Sequence, residues 1–296
     1  MQTNNILDLI GNTPLIKAEN LIDNKNITLL LKLEGNNPGG SVKDRPAFNM
    51  IKSALDRNEI SKDDKLIEAT SGNTGIAMAM TCKLFDLKIE LIMPSNATKE
   101  RIQVMESYGA KVTLTDADLG TEGARDYADK KVENGGYKML NQYANNDNWK
   151  AHYKTTGPEI WKDTNGEITH FVSAMGTTGT IMGVSTFLKE KNQNIQIIGA
   201  QPTDDSSIPG IRKWPKEYIP KIFNPKKVDQ VIEISEKEAR EMTKRLALEE
   251  GVFAGMSSGG AVATALKLAS QIDKGVIVTV ICDRGDRYLS SDLFEL

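Results

Sequence analysis

The sequence predicts an α/β protein whose sheets are parallel and covered by helices on both faces, in two domains. Three observations predict it. Short apolar runs alternate with segments of helical periodicity almost from end to end. Runs such as 27–33 and 276–282 are apolar along most of their length, as strands buried on both faces are. The length of 296 residues fits about two domains at roughly 150 residues each.

The first strand-like run, 27–33, leads into the stretch around which the chain is organised: Asn36-Asn37-Pro38-Gly39-Gly40-Ser41-Val42-Lys43-Asp44-Arg45. Pro-Gly-Gly disfavours helix and strand alike and makes a tight turn. Ser41 or Asp44 can cap a following helix, whose Phe48, Ile51 and Leu55 share one face. Lys43 then stands where a strand ends and a helix begins, the position at which open α/β sheets bind ligands. An amine there can lose solvation and become nucleophilic.

Further strands are expected at 65–69, 89–93, 112–115, 138–141, 170–174, 195–200, 231–234 and 276–282. Helices are expected at 76–85, at 100–108 closed by Gly109, and at 122–132 closed by Gly135-Gly136. A long helical stretch at 147–161 is interrupted at Gly157-Pro158, and 183–191 and 261–269 are helical. Ser235-Glu236-Lys237-Glu238 reads as a capping box opening a helix with Ala239, Met242 and Leu246 on one face and Gly251 as its stop. The irregular segment 201–227 is rich in Pro and Ser and longer than ordinary connections, so it is a candidate functional loop or interface element. A domain break falls near the polar run at 144–148.

A net charge of −3 gives no reason to expect a nucleic-acid partner. The N-terminus lacks a basic region followed by an apolar one, and no apolar run is long enough to span a bilayer, so neither a signal peptide nor a membrane partner is expected. Two cysteines, Cys82 and Cys282, build no disulfide framework and fit a reducing cytoplasm. The two histidines, His152 and His170, have no second ligand at metal spacing, so no metal is expected.

Four strand-to-helix loops share one chemical character. The first holds Lys43. The second, Thr70-Ser71-Gly72-Asn73-Thr74-Gly75, pairs glycines that admit close approach with neutral hydrogen-bonding side chains, and suits a carboxylate or phosphate. The third, Gly176-Thr177-Thr178-Gly179-Thr180, has the composition of a phosphate cradle but is neither a Walker A loop nor G-x-G-x-x-G. The fourth is Gly255-Met256-Ser257-Ser258-Gly259-Gly260. A lysine, a phosphate cradle and a carboxylate pocket together point to pyridoxal 5'-phosphate.

These four loops, in this order and spacing, resemble those of the cysteine synthase (O-acetylserine sulfhydrylase) family, and the match runs over essentially the whole chain. The stretches 157–161, 207–215 and 282–290 resemble the B-type cysteine synthase. The resemblance implies two three-layer αβα domains of the tryptophan synthase β-like kind, pyridoxal-phosphate fold type II. It implies a smaller, mobile N-terminal domain at 36–145 with the extreme N-terminus, a larger cofactor-binding domain formed by 13–35 and 146–296, and a homodimer. Lys43 matches the Schiff-base lysine and catalytic base. Asn73 matches the partner of the cofactor's ring hydroxyl, Gly176, Thr177, Thr178, Gly179 and Thr180 the phosphate loop, and Ser257 the partner of the pyridine nitrogen. Thr70, Ser71, Thr74 and Gln142 match the pocket for the substrate α-carboxylate.

The implied reaction is β-replacement on O-acetyl-L-serine by sulfide or another sulfur nucleophile, through an α-aminoacrylate, to give L-cysteine. A neutral hydroxyl at Ser257 holds less positive charge on the pyridine nitrogen than a carboxylate does, which favours prompt loss of a β-leaving group over transamination. The chain departs from its relatives at 94–101, at Pro46 and at Tyr143, where Phe is more usual. These departures leave open a second substrate reading, L-cysteine itself with release of hydrogen sulfide to give serine or lanthionine. Asp204, Asp205, Arg212 and Lys213 are candidates to tune that choice. A reading of another class, a non-catalytic partner-binding protein on the same fold, sits poorly with the retention of Lys43 and all four loops.

Overall fold

The computed structural model describes residue 3, residues 5–70 and residues 72–295. In chain order it contains β1 (Leu15–Lys17), β2 (Ile27–Leu33), α1 (Asp44–Asp56), β3 (Lys65–Ala69), α2 (Asn73–Leu84), β4 (Lys88–Pro94), α3 (Lys99–Ser107), β5 (Lys111–Thr115) and α4 (Gly120–Glu133). It continues with α5 (Asn146–Lys154), α6 (Thr156–Asp163), β6 (His170–Ala174), α7 (Gly179–Lys191), β7 (Gln196–Pro202), β8 (Gln230–Ile234), α8 (Glu236–Glu250), α9 (Met256–Ala269) and β9 (Gly275–Ile281).

The strands form two sheets, one ordered β1-β2-β9-β6-β7-β8 and one ordered β3-β4-β5. Every pairing is parallel except β1 with β2. Successive residues serve opposite faces, as the period of a strand requires. In β3, Leu66 joins a core with α1 and α2 whereas Ile67 and Ala69 pack against Ala124 and Ala128 of α4. In β9, Ile277 packs with α8 and α9 whereas Val278 and Val280 face residues of α6 and α7. Each sheet is thus the middle layer of a three-layer αβα stack.

The alternation of strands and helices stands as the sequence predicts, and so does the capping box. Ser235 accepts from the Glu238 amide, Glu238 accepts from the Ser235 amide, and Gly251 ends α8 in the left-handed region at φ +66°. Four expectations are corrected. Residues 138–141 form no strand: Lys138 makes a single bridge to Leu66, after which Asn141 turns to φ +55° and its amide is taken by a side chain instead of a ladder. The helical stretch breaks at Thr155, not at Gly157-Pro158, because Pro158 falls in the first turn of α6, where its missing N–H costs nothing. Neither Ser41 nor Asp44 caps α1, since Lys43 is the N-cap residue and Asp44 turns back to the Gly39 amide. The helices expected at 183–191 and 261–269 begin earlier, at Gly179 and Met256, so that the third and fourth loops run directly into helix N-termini.

Candidate active site

A cleft of about 460 Å³ lies at the carboxyl ends of the strands of both sheets. The first turns of four helices open onto it: Lys43 at α1, Asn73 and Thr74 at α2, Thr177 and Thr180 at α7, and Ser257 at α9. Unpaired N–H groups and the positive ends of the helix dipoles make it a place for an anionic ligand.

Of the residues singled out from sequence, Lys43, Thr70, Asn73, Thr74, Gln142, Gly176, Thr177, Thr180 and Ser257 all line this one cleft. Thr178 and Gly179 stand behind it, and Ser71 lies outside the described residues. Where the carboxylate pocket is expected, the Thr74 hydroxyl donates to Gln142 Oε1 at 3.0 Å, and Gln142 Nε2 donates to the Ala69 carbonyl at 3.3 Å. In the 176–180 loop Thr178 takes φ +69°, and its buried Oγ1 has no hydrogen-bond partner among the described residues. A Cβ at Gly179 would come within 1.9 Å of Asn148 Oδ1, and one at Gly176 within 2.8 Å of the Gly210 carbonyl oxygen, so both positions need glycine. The cleft therefore has an amine at one strand end, a glycine- and threonine-built helix N-terminus at another, and a hydroxyl at Ser257. This donor set fits a phosphate-bearing aromatic aldehyde.

Sequence reasoning missed the groups that hold these residues. Asn73 Nδ2 donates to Asp283 Oδ2 at 2.6 Å, and its Oδ1 accepts from Arg287, which also donates to the Gly39 carbonyl. One Asn73 N–H remains for a ligand. Asp283 and Arg287 lie within the 282–290 stretch that resembles the B-type enzymes, the one signal that could have found them. Two residues after Lys43, Arg45 is buried and donates to both oxygens of buried Glu34 at 2.7 Å and to both of Glu159 at 2.6 and 2.7 Å. Buried Lys32 donates to the Thr13 carbonyl at 2.7 Å and pairs with Glu159 at 2.9 Å. This network anchors the start of α1 to β2 and α6.

Of the specificity candidates, only Arg212 lines the cleft, its Nη2 donating to Thr121 Oγ1 at 2.8 Å. Lys213 pairs with Asp204 and Glu233 at the surface, and Asp205 accepts from Thr203.

Burial pushes the Asp44 carboxyl, next to Lys43, up to about 7. It likewise raises the Cys282 thiol at the cleft floor to about 11, so that sulfur is a thiol rather than a nucleophilic thiolate. His152 is buried beneath the cradle between the hydroxyls of Thr156 at 2.9 Å and Thr180 at 3.3 Å, and burial pushes it down to about 3, so it is neutral.

Residues 6–283 match the sequence model of the pyridoxal-phosphate dependent enzymes. The chain is 56% identical to cysteine synthase B of Pseudomonas aeruginosa over 98% of this chain and 97% of that one. Its fold is similar to the crystal structure of a cysteine synthase from Entamoeba histolytica, with a TM-score of 0.94 and 36% identity over 100% of this chain and 92% of that one. It is also similar to a hydrogen sulfide-producing enzyme from Fusobacterium nucleatum, with a TM-score of 0.92 and 38% identity over 97% and 100%. The chain belongs to the pyridoxal-phosphate dependent enzymes and, within them, to the cysteine synthase family.

Proposed function

We propose that this protein makes L-cysteine by β-replacement, exchanging the acetate of O-acetyl-L-serine for sulfide. The observation that carries this reading is the convergence of Lys43, the Thr74–Gln142 pair and the 176–180 cradle on one cleft, in a chain 56% identical to a cysteine synthase B.

Lys43 would hold pyridoxal phosphate covalently, the α7 N-terminus with Thr177 and Thr180 would receive its phosphate, Asn73 would hydrogen-bond its ring hydroxyl, and Ser257 would serve its pyridine nitrogen. The bound cofactor supplies an electron sink for the charge that develops at the substrate's Cα. Thr70, Thr74 and Gln142 bind and orient the substrate α-carboxylate at the N-terminus of α2. Once the substrate's own amine has taken the place of the Lys43 amine and left it free, Lys43 takes the proton from Cα as general base, acetate leaves Cβ, and Lys43 returns the proton to Cα after sulfide has added at Cβ. A hydroxyl rather than a carboxylate at Ser257 keeps the charge short-lived and favours departure of the β-substituent. The β3-β4-β5 layer with its helices closes as a mobile unit over the substrate, excluding water, and two copies of the chain act as a cytoplasmic homodimer.

The test is a visible spectrum of the holoenzyme with O-acetylserine, then sulfide, and separately with L-cysteine. A cofactor band that shifts with O-acetylserine and returns with sulfide is the expected result. Faster turnover of L-cysteine with release of sulfide would replace this reading with that of a cysteine lyase. No cofactor band after reconstitution would refute both.

A further inference from the structure

We propose that Glu68 is a positioning residue for substrate recognition: from β3 its carboxylate grips the backbone amides of Asn141 and Gln142 and thereby sets the Gln142 side chain against Thr74. The inference rests on the reading that Thr74 and Gln142 bind the substrate α-carboxylate.

The geometry is specific. Glu68 is 1% exposed, on a strand of the smaller sheet. Its Oε2 accepts from the Asn141 amide and its Oε1 from the Gln142 amide, each at 3.0 Å. The two amides are presented side by side because Asn141 takes φ +55°. This is the turn that ends the run expected to be a strand. The backbone of Gln142 is thus held from β3, and its side chain is held by Thr74 of α2 and the Ala69 carbonyl of β3. From the first turn of α5, the Asn148 side chain donates to the Gln142 carbonyl at 2.7 Å.

A carboxylate serves this place as a carboxamide cannot. It accepts at both oxygens, whereas glutamine would turn an NH₂ group toward one of the two N–H donors. Besides the Asn141 and Gln142 amides, the charges of Asp129 and Arg125, both on α4, and the neighbouring Tyr143 phenol are coupled to Glu68. Burial pushes the Glu68 carboxyl up to about 7, against the pull of the two amides. The charged form, and with it the second amide bond, is therefore present above neutrality and lost as pH falls through that value.

The experiment compares wild-type, Glu68→Gln and Gln142→Ala holoenzymes in steady-state kinetics at pH 8 and pH 6.5, with amide hydrogen exchange over residues 138–145. Glu68→Gln is expected to raise KM for O-acetylserine about tenfold at pH 8, equivalent to about 1.4 kcal/mol. Its kcat should stay within about threefold, and exchange at 141 and 142 should accelerate. The KM ratio between variant and wild type should shrink at pH 6.5. A KM unchanged in Glu68→Gln but raised in Gln142→Ala overturns the role of Glu68. A KM unchanged in both overturns the carboxylate-pocket reading and this inference with it. If Glu68→Gln does not fold, protection of the wild-type 141 and 142 amides must fall between pH 8 and pH 6, and constant protection refutes the proposal.

Discussion

Replacing Arg45 with Met tests whether the buried charge network, and not hydrophobic packing alone, anchors the helix that begins at Lys43. In the native protein the Arg45 guanidinium is shared between Glu34 and Glu159. Glu159 is partly exposed and keeps Lys32 as a partner when Arg45 is lost. Glu34 is fully buried and, among the described residues, keeps the Thr13 hydroxyl at 2.7 Å and the Asn37 side chain at 2.8 Å. The variant therefore strands one buried carboxylate, at a cost of about 3–5 kcal/mol. An unfolding entropy of about 2.1 cal/mol/K per residue gives about 0.6 kcal/mol/K for 296 residues, so the melting temperature should fall by about 5–8 °C at pH 7.5.

The pH dependence separates this cause from a simple packing loss. Burial raises the Glu34 pKa, but Arg45 overcomes it and holds the carboxyl below its ordinary value. In the wild type this contribution is present above the ordinary carboxylate pKa and is lost as pH falls. Without Arg45, burial outweighs the remaining hydrogen bonds from Thr13 and Asn37, and the folded-state pKa rises. The variant then gains stability by taking up a proton as pH falls, and its deficit should narrow between pH 7.5 and pH 5. Scanning calorimetry of both holoenzymes at the two pH values is the assay. The double variant Glu34→Gln/Arg45→Met should recover part of the loss. A deficit equal at both pH values, or a melting temperature within about 1 °C of wild type, would mean that the Glu34–Arg45 pair does not anchor α1.

Two further outcomes follow from the site. Gly179→Ala drives a Cβ to 1.9 Å from Asn148 Oδ1, and overpacking of this kind costs about 1–3 kcal/mol. Affinity for the cofactor, measured by reconstitution titration, should fall by about ten- to a hundredfold. His152, neutral and buried with its pKa at about 3, must take up a proton on unfolding below its ordinary value near 6.5. Its contribution is complete above pH 6.5 and is lost as pH falls, by about 1.5 kcal/mol between pH 6.5 and pH 5. His152→Gln should flatten the fall of the melting temperature over that interval, and an unchanged slope contradicts the assignment of a neutral imidazole.

Much of this was legible in local sequence. Glycine and hydroxyl residues at strand-to-helix junctions mark helix N-termini, and near-continuous apolar runs mark strands buried on both faces, because backbone sterics and burial act over a few residues. The run 138–141 misled because its composition suits a strand, whereas after the backbone bonds of Lys138 to β3 the Asn141 amide goes to the Glu68 carboxylate, more than seventy residues away. Lys32, Glu34 and Arg45 read locally as ordinary surface charges. They are buried because partners at positions 13, 159 and 163 complete them.

The chain alone carries the alternation of strands and helices, the four loops and their chemistry, and the family to which it belongs. The tertiary structure alone decided that β2 pairs with the last strand, β9, which brings Lys43 beside Ser257 and Cys282 at one cleft. It alone decided that Asn73 is held by Asp283 and Arg287, and Gln142 by Glu68. The physical reason is range. Propensity, capping and turn chemistry are settled within a few neighbouring residues, whereas desolvation and charge pairing depend on which distant segments the fold brings together.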